Sequence, residues 1–433
     1  LQGIPTIVFC RSRLTVEVLV TYLREEAQRY GLPSETVRGY RGGYLPNERR
    51  AIERGLRSGE VSCVVSTNAL ELGIDIGSLQ ACVIVGYPGT LASTWQQFGR
   101  VGRRNGPSLC VLLGMSTPLD QFLMAHPEYV FDRSVESGLV SPNNLYILGS
   151  HLKCAAFELP FVEGERFGVD ATEQLLDHLV SERVLHRAGG RWYWSAESFP
   201  AHQVSLRSAT VDNFVIIDTT QPGQPRVIGE MDRISVPTML HEEAIYLHEG
   251  RQYQVERLDW SEKKAYVRAV DVDYYTDANL AVRLQVLDTL EQREEPWGSK
   301  AWGEVALTFR ATIFKKIKFD THENVGWGEI HLPEETMHTT AWWIGLAPTL
   351  TAPLTRDELE DGLLGLGHVV ANVAPLYLMC DPRDLGVHVE LRSPITQVPT
   401  VFVYDKAPGG VGLAERLFHT TGDVLAAARS LVA

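Results

Sequence analysis

The stretch from residue 61 to residue 104 constrains the fold most, because apolar runs alternate there with turn and helix signals. An apolar run, VSCVV at 61–65, leads into STNALELGIDI at 66–76. A second run, ACVIV at 81–85, is broken by YPG at 87–89, and QQFGRVGRR follows at 96–104. Short apolar runs of this kind, joined by helical connections, are typical of parallel strands buried on both faces. The stretch therefore predicts an α/β unit.

Two arginines near the end of this stretch are its strongest chemical signal. Arg100 and Arg103 lie three residues apart on a predicted helix that Ser93 or Thr94 would start, so both side chains would leave one face. This pattern suits an arginine finger, which stabilises charge on a phosphoryl group in its transition state. The alternative is a basic, solvated helix. The fixed order of strand, acidic loop and paired arginines argues against it.

The same alternation extends over residues 4–115. The sequence predicts strands at 7–10 and 109–113, a strand and loop at 38–43, an amphipathic helix at 16–30, and a charged helix at 47–55 capped by Asn47. Alternating strands and helices predict a parallel sheet covered on both faces.

Four segments of this region resemble motifs of superfamily 2 helicases. The segment IVFCRSR at 7–13 resembles motif IV, and YRGG at 40–43 followed by Arg49 resembles motif IVa. Residues 67–76 resemble motif V, and residues 96–103 resemble motif VI. The runs RGGYLP and ELGIDI are most similar to the YprA/MrfA group of bacterial DNA helicases. In addition, YDKAPGGVG at 404–412 resembles the start of that group's zinc-binding domain. The resemblance implies that residues 1–110 form a second RecA-like lobe.

The resemblance also assigns roles by motif position. Arg100 and Arg103 would meet the γ-phosphate of ATP, and Gln96 would couple that contact to the nucleic acid. Asp75, with Gly73 beside it, would bind the ribose hydroxyl or the finger arginines. The residues implied to grip the DNA backbone follow strand ends: Arg11, Ser12, Arg13, Arg41, Gly42, Gly43, Thr67 and Asn68.

The activity implied by the resemblance is ATP-driven movement on single-stranded or tailed DNA, in the 3′ to 5′ direction, in DNA repair with unidentified repair proteins as partners. ATP and Mg²⁺ would be held mainly by a first lobe, because no GxxxxGK[ST] loop occurs in these residues. The chain is therefore expected to be the C-terminal part of the enzyme and to be inactive alone. A double-stranded DNA translocase or an RNA helicase would carry the same motifs. A non-enzymatic DNA-binding scaffold would be expected to lose Arg100 and Arg103.

Charge and cysteine content indicate which ligands and which cellular compartment the sequence suits. The net charge is −14, yet residues 1–110 hold 13 basic against 9 acidic residues, while the remainder holds 27 against 45. A basic motor domain on an acidic body permits local phosphate contacts. The six cysteines show no paired spacing, so no metal site is predicted within these residues, and Zn²⁺ is expected only in a cysteine cluster beyond them. The same cysteine pattern favours a reducing, cytoplasmic setting, and a nucleoid-associated protein is expected there. No apolar run is long enough to span a bilayer, so no membrane contact is expected.

The predicted fold class is α/β, with a RecA-like domain at 1–125 followed by three smaller domains. A winged-helix-like domain is predicted at 126–211, from a capping box at 170–173 and a hairpin at 184–194. Its wing would either touch DNA through Arg187, Arg191 and Trp192 or only brace the motor. A small β-barrel is predicted at 212–325, from alternating strand-like runs at 244–247, 252–258 and 265–272. Within it, FKKIKF at 314–319 is either a nucleic-acid stripe or the wet face of an edge strand.

An α+β domain is predicted at 326–433. Its expected elements are a helical segment from Thr339 to Met379, strands at 388–391 and 400–404, and a helix at 412–420. The glycines at 409, 410 and 412 favour a tight strand-to-helix turn over a phosphate cradle, because no Lys-Ser/Thr pair follows them.

Overall fold

The first unit of the molecule is a five-stranded parallel sheet. It is seen in a computed structural model that describes residues 4–72, 79–102, 106–138, 141, 144–204 and 213–432. Its strand order is β2-β3-β1-β4-β5. The strands are β1 (Thr6–Cys10), β2 (Val37–Tyr40), β3 (Cys63–Ser66), β4 (Ala81–Val85) and β5 (Leu109–Leu113). Ile7 and Phe9 pack into one apolar cluster and Val8 and Cys10 into another, so β1 is buried on both faces. The predicted RecA-like sheet is confirmed.

Three helices follow strands of this sheet: α1 (Arg13–Arg29), α2 (Pro46–Ser58) and α3 (Leu91–Phe98). The Ser12 hydroxyl caps α1 by accepting from the Thr15 amide at 3.0 Å. Two predicted helix starts are wrong. Thr90, not Ser93 or Thr94, caps α3, and α2 begins at Pro46, ahead of Asn47. The predicted position of Arg100 on α3 is also wrong, because this helix ends at Phe98. Proline is well suited to a first helical position, since its missing N–H would be unpaired there anyway.

The next region is mainly helical and ends in the predicted hairpin. Its elements are α4 (Pro118–Ala125), α5 (Glu128–Phe131), α6 (Leu145–Glu158), β6 (Phe161–Val162), α7 (Thr172–Ser181), β7 (Leu185–Ala188) and β8 (Arg191–Trp194). The predicted capping box is wrong: Glu173 accepts from the Gly164 amide, and α7 begins at Thr172. Trp192 is fully buried and donates to Asp177 at 2.9 Å, so it belongs to the winged-helix core. Arg187 pairs with the same Asp177, whereas Arg191 is exposed.

A five-stranded sheet follows, with order β10-β9-β13-β12-β11. It comprises β9 (Asn213–Asp218), β10 (Arg226–Asp232), the short helix α8 (Val236–Met239), β11 (Ile245–His248), β12 (Arg251–Asp259) and β13 (Lys264–Val270). The three predicted strands at 244–272 are confirmed, but the barrel predicted at 212–325 is not found. The order is an open path in which β10 and β11 are the edges, and strands from Tyr274 onward join another sheet. We call residues 213–270 the middle sheet.

The last unit is built on a long hairpin. Its strands are β14 (Tyr274–Glu295), β15 (Gly298–Lys318), β16 (Asn324–Glu329), β17 (Glu335–Leu346), β18 (Leu385–Glu390) and β19 (Thr400–Asp405), in the order β14-β15-β17-β19-β18 with β16 beside β15. Its helices are α9 (Pro348–Thr351), α10 (Arg356–Leu378) and α11 (Leu413–Val432), and α10 and α11 pack on the sheet. The run at 314–319 lies mostly in β15, between β14 and β16, so the edge-strand explanation is wrong.

The predicted helical segment from Thr339 is also partly wrong, because the chain stays in β17 as far as Leu346. Trp342 and Ile344 pack on the helices, while Ala341 and Trp343 pack on the opposite face. A strand buried on both faces is apolar at every position, and such a run is hard to distinguish from a buried helix. Within the described ranges, no helix is both long and apolar enough to cross a membrane.

Candidate nucleotide and DNA site at the carboxyl edge of the parallel sheet

The parallel sheet brings the predicted DNA-gripping loops together. Residues 11–13 follow β1, residues 41–43 follow β2, and residues 67–68 follow β3. β2, β3 and β1 are consecutive neighbours and run parallel, so all three loops leave the same edge. Ligands of open α/β sheets bind at this carboxyl edge.

Glu71 joins the motif V loop to the motif VI helix. Its carboxylate accepts from the Ser93 hydroxyl at 2.7 Å and from the Gln97 side-chain amide at 3.1 Å. Its backbone carbonyl accepts from Arg100 Nε at 2.8 Å and also from the Arg100 Nη2. Arg100 is 6% exposed, so these contacts fix its position. Glu71 therefore bonds the motif V segment directly to residues of motif VI.

The structure separates the two glutamines of motif VI. Gln96 is exposed, whereas Gln97 is buried and contacts Glu71. The sequence interpretation missed Glu71 and Gln97. One available signal was the spacing of Gln97 and Ser93, which lie four residues apart and share a helix face. Gly73, Asp75 and Arg103 lie outside the described residues.

The loop after β1 is held by residues from two other parts of the chain. Arg13 Nη1 lies 2.7 Å from Asp232 Oδ2 in the middle sheet. Burial would raise the pKa of Asp232, but the Arg13 guanidinium and hydrogen bonds from Ser235 outweigh it and hold that pKa below its ordinary value. The Arg11 carbonyl accepts from Arg383 of the last unit at 2.7 Å. Ser12 remains exposed at the N-terminus of α1, where amides and the helix dipole favour anions.

Arg41 occupies a buried position between the lobe and the middle sheet. Its Nε donates to Glu17 Oε1 at 2.7 Å, and its Nη2 donates to the Leu247 carbonyl at 2.9 Å and to the Tyr246 hydroxyl at 3.2 Å. Both Arg41 and Glu17 are almost fully buried. The guanidinium therefore cannot reach a DNA phosphate in this conformation, and the sequence interpretation of Arg41 is corrected to a structural role.

Gly42 and Gly43 differ in what surrounds them. A Cβ on Gly42 would have the Arg13 guanidinium as its nearest neighbour, at 3.8 Å. Gly43 has a φ of +98°, and a Cβ there would lie 2.5 Å from the Glu230 carbonyl oxygen. Its own carbonyl accepts from the Glu230 amide at 2.9 Å. Gly43 is thus required for a backbone contact with β10.

The two predicted DNA contacts in the loop after β3 also differ in their surroundings. The Thr67 hydroxyl accepts from the Ala69 amide at 3.4 Å and is largely buried. Asn68 is exposed beside it. In this conformation Asn68 is the more accessible of the two predicted DNA contacts.

The glycine-rich turn at 409–412 is filled by the protein itself. Asp405 Oδ2 accepts from the Val411 amide at 2.8 Å and from the Leu413 amide at 3.3 Å. Because a carboxylate already takes these amides, the turn has the structural role that the sequence favours, joining β19 to α11.

Comparisons with known proteins agree with this architecture. The family described as helicase conserved C-terminal domain matches residues 1–105, the winged helix domain of ATP-dependent helicase HRQ1 matches residues 140–209, and the MrfA Zn-binding domain matches residues 366–433. A crystal structure of DUF1998 helicase MrfA bound to DNA superposes with a TM-score of 0.77 at 52% identity, covering 99% of this chain and 57% of that one.

Two relatives match along nearly the whole chain. The uncharacterized ATP-dependent helicase YprA of Bacillus subtilis is 52% identical over 429 residues, which cover 99% of this chain and 57% of that protein. ATP-dependent helicase HRQ1 of Saccharomyces cerevisiae is 30% identical over 454 residues, which cover 98% of this chain and 41% of that protein. The chain thus spans about half the length of these relatives.

The parallel sheet, its four motifs and the winged helix define a protein of helicase superfamily 2. Within that superfamily, the chain belongs to the YprA/MrfA group.

The family match at 366–433 raises the question of a zinc ion. Cys380 is the single cysteine in that range. It is buried, and burial raises the pKa of its thiol to about 12, which disfavours the thiolate that zinc binds. Among the residues that the structure describes, no three His, Cys, Asp or Glu side chains are grouped to hold a metal ion. These residues do not fit zinc, and we assign it no role in them.

Proposed function

We propose that this chain supplies the second-lobe half of an ATP-driven motor that moves along single-stranded DNA, in the 3′ to 5′ direction and in DNA repair. The observation that supports the proposal is the bridge made by Glu71. Through it, α3 and Arg100, which lies two residues beyond the end of that helix, are bonded to the segment that carries Thr67 and Asn68. A motor needs such a link, because a change at the nucleotide must reach the residues that hold the strand.

Each side of this bridge has its own proposed role. Arg103 meets the γ-phosphate, and Arg100 orients the motif VI helix through the Glu71 carbonyl. ATP with Mg²⁺, when bound across from a first lobe, supplies the phosphoryl group whose charge the arginines stabilise. Asn68, Ser12 and the backbone of Gly42 contact phosphates without reading sequence, which a processive motor requires. Gln97 and Glu71 transmit the movement between the two sides.

The test compares Arg103→Ala with Asn68→Ala in the full-length enzyme. Arg103→Ala is expected to lower DNA-stimulated ATP turnover about 10³-fold, the scale for losing a finger, with little change in single-stranded DNA affinity. Asn68→Ala is expected to weaken DNA binding and spare basal hydrolysis. The measurements are steady-state ATP turnover and fluorescence anisotropy with labelled oligonucleotides.

If Arg103→Ala weakens DNA binding while hydrolysis is intact, the motif VI arginines form a DNA-binding patch and the finger proposal fails. Strand displacement on tailed DNA and RNA duplexes, each with a 3′ or a 5′ tail, checks the substrate and polarity. Unwinding of RNA alone, or of 5′-tailed DNA alone, would contradict the proposal.

A further inference from the structure

A residue from the last unit reaches the carboxyl edge of the parallel sheet. Arg383 lies in a short 3-10 turn, Pro382–Asp384, between α10 and β18. Its Nη1 donates to the Arg11 carbonyl at 2.7 Å, across 372 positions of sequence. The crevice that it enters lies between the loops after β1 and β4, and its lining includes Phe9, Arg11, Asn68, Gly86, Ser93 and Gln97. Arg383 therefore shares a crevice with residues of motifs IV, V and VI.

Asp381 holds the Arg383 side chain in this orientation. The Asp381 carboxylate accepts from Arg383 Nε at 3.0 Å and from Arg383 Nη2 at 2.5 Å, a two-pronged contact that fixes the plane of the guanidinium. It also accepts from the Arg383 backbone amide at 2.9 Å. The hydrogen bonds from Asp381 raise the pKa of Arg383 above its ordinary value, so the side chain stays charged.

Gly89, in the loop after β4, allows this pair to approach the lobe. Its φ is +110°, and a Cβ at this position would lie 2.7 Å from Asp381 Cγ. A side chain at 89 would therefore push the carboxylate away. The glycine on one unit and the Asp–Arg pair on the other form a fitted contact.

We propose that Arg383 is a positioning residue for the motor: it fixes the Arg11–Arg13 loop in the conformation that grips the DNA backbone. Two side chains contact that loop at different points, Arg383 at the Arg11 carbonyl and Asp232 at the Arg13 guanidinium. Losing the Arg383 bond frees the start of α1, where the exposed Ser12 and the helix amides make the phosphate contact of the proposed function. This inference rests on the proposed function, because it assigns Arg383 to the DNA side of the same site.

The test uses the full-length enzyme and three variants: Arg383→Ala, Arg383→Lys and Arg392→Ala. Arg392 is a matched control, because it is an arginine of the same unit that donates to Gln397 within its own loop. The concentration of single-stranded DNA that half-saturates ATP turnover is expected to rise roughly five- to tenfold in Arg383→Ala, with turnover at saturating DNA changed less than about twofold. Arg383→Lys retains the charge and one donor, so its half-saturating DNA concentration should rise only about half as much on a logarithmic scale. Arg392→Ala should match the wild type.

If Arg383 had a purely structural role, Arg383→Ala would lower the melting temperature and the fraction of active enzyme. It would not raise the half-saturating DNA concentration while leaving maximal turnover nearly unchanged. The inference is overturned if Arg383→Ala leaves half-saturation unchanged, or if it lowers maximal turnover alone. Should Arg383→Ala fail to fold, the lysine variant decides by the same two quantities. Absence of DNA-stimulated turnover in the wild type would instead defeat the proposed function, so the two failures are distinguishable.

Discussion

At the scale of single residues, Arg41 shows how a motif position can be taken over by packing. The resemblance to motif IVa places it among DNA-gripping residues. In the structure its donors go to Glu17, Tyr246 and the Leu247 carbonyl, and Tyr44 adds a second hydrogen bond to Glu17 at 2.7 Å. Breaking a buried ion pair from one side leaves an uncompensated charge, which costs more than the pair contributes when whole.

Arg41→Ala is therefore expected to lower the free energy of unfolding by about 3–5 kcal/mol. The double variant Glu17→Gln with Arg41→Met should lose less than Arg41→Ala alone, since no charge is left buried. The measurement is urea unfolding followed by intrinsic fluorescence and by circular dichroism. Arg29→Ala serves as the control, because it removes an exposed pair with Glu26 and should cost under about 1 kcal/mol. A loss of similar size in Arg41→Ala and Arg29→Ala would show that the buried pair carries no special weight.

Local patterns predicted the position of Arg41 at the end of β2 but not its burial. The strand and the following glycines are visible within six residues of sequence, whereas Tyr246 and Leu247 lie more than 200 positions away. The same distance hides the contact between Arg383 and Arg11. The carboxyl-edge location of residues 11–13, 41–43 and 67–68 was predictable because parallel strands impose it. Which of those side chains remain exposed depends on domains that pack against that edge.

At the scale of elements, the turn between β19 and α11 depends on one buried carboxylate. Asp405 is 1% exposed and accepts two amides of the turn, yet burial raises the pKa of its carboxyl from 3.8 to about 6. The protonated Asp405 carboxyl is therefore favoured in the folded protein relative to the unfolded chain, and protonation stabilises the fold. This stabilisation is complete below pH 3.8. It is lost as pH rises through about 6.

Asp405→Asn should remove this dependence, since an amide oxygen can still accept from Val411 and Leu413 without titrating. The difference in unfolding free energy between wild type and Asp405→Asn is expected to shift by about 2–3 kcal/mol against the wild type between pH 4 and pH 7. Urea unfolding at several pH values measures it. Asp423→Asn, a change at an exposed position of α11, is the control. A constant difference across this range would mean that Asp405 titrates alike in both states.

Strands were predictable from the sequence where apolar residues occupy only one face, or where turn residues mark the ends. The strands at 245–248, 251–259 and 264–270 alternate or are bounded by turn residues, and they were found as predicted. β17 was mistaken for helix because both of its faces are covered, which removes the alternation. The barrel prediction was wrong because the sequence shows where strands lie but not which strands pair. β14 follows the middle sheet in sequence, yet it pairs with β15.

At the scale of the whole molecule, the lobe and the middle sheet are joined as one body. α1 contributes Arg24, which donates to the Glu249 carbonyl of the middle sheet, and also Tyr22, which donates to the Phe319 carbonyl of the last unit. Arg38 pairs with the Glu249 carboxylate at 2.7 Å. Backbone pairing between Tyr44 and Gly229 completes the joint. These contacts attach the middle sheet to the first unit at several points.

Substitutions at Gly43 and Gly42 test the backbone contact between the lobe and the middle sheet separately from DNA binding. These neighbouring glycines suit the comparison because their surroundings differ. Gly43→Ala forces a Cβ to within 2.5 Å of the Glu230 carbonyl oxygen at a φ of +98°, and should lower the free energy of unfolding by about 1–3 kcal/mol. Amide exchange at Glu230, whose N–H donates to Gly43, should rise at the same time. Gly42→Ala meets nothing closer than 3.8 Å, so its stability and exchange should match the wild type. Hydrogen–deuterium exchange followed by mass spectrometry measures both. If Gly43→Ala keeps wild-type exchange at Glu230, the backbone pairing does not hold the two sheets together, and Arg41 with its buried partners must carry the joint.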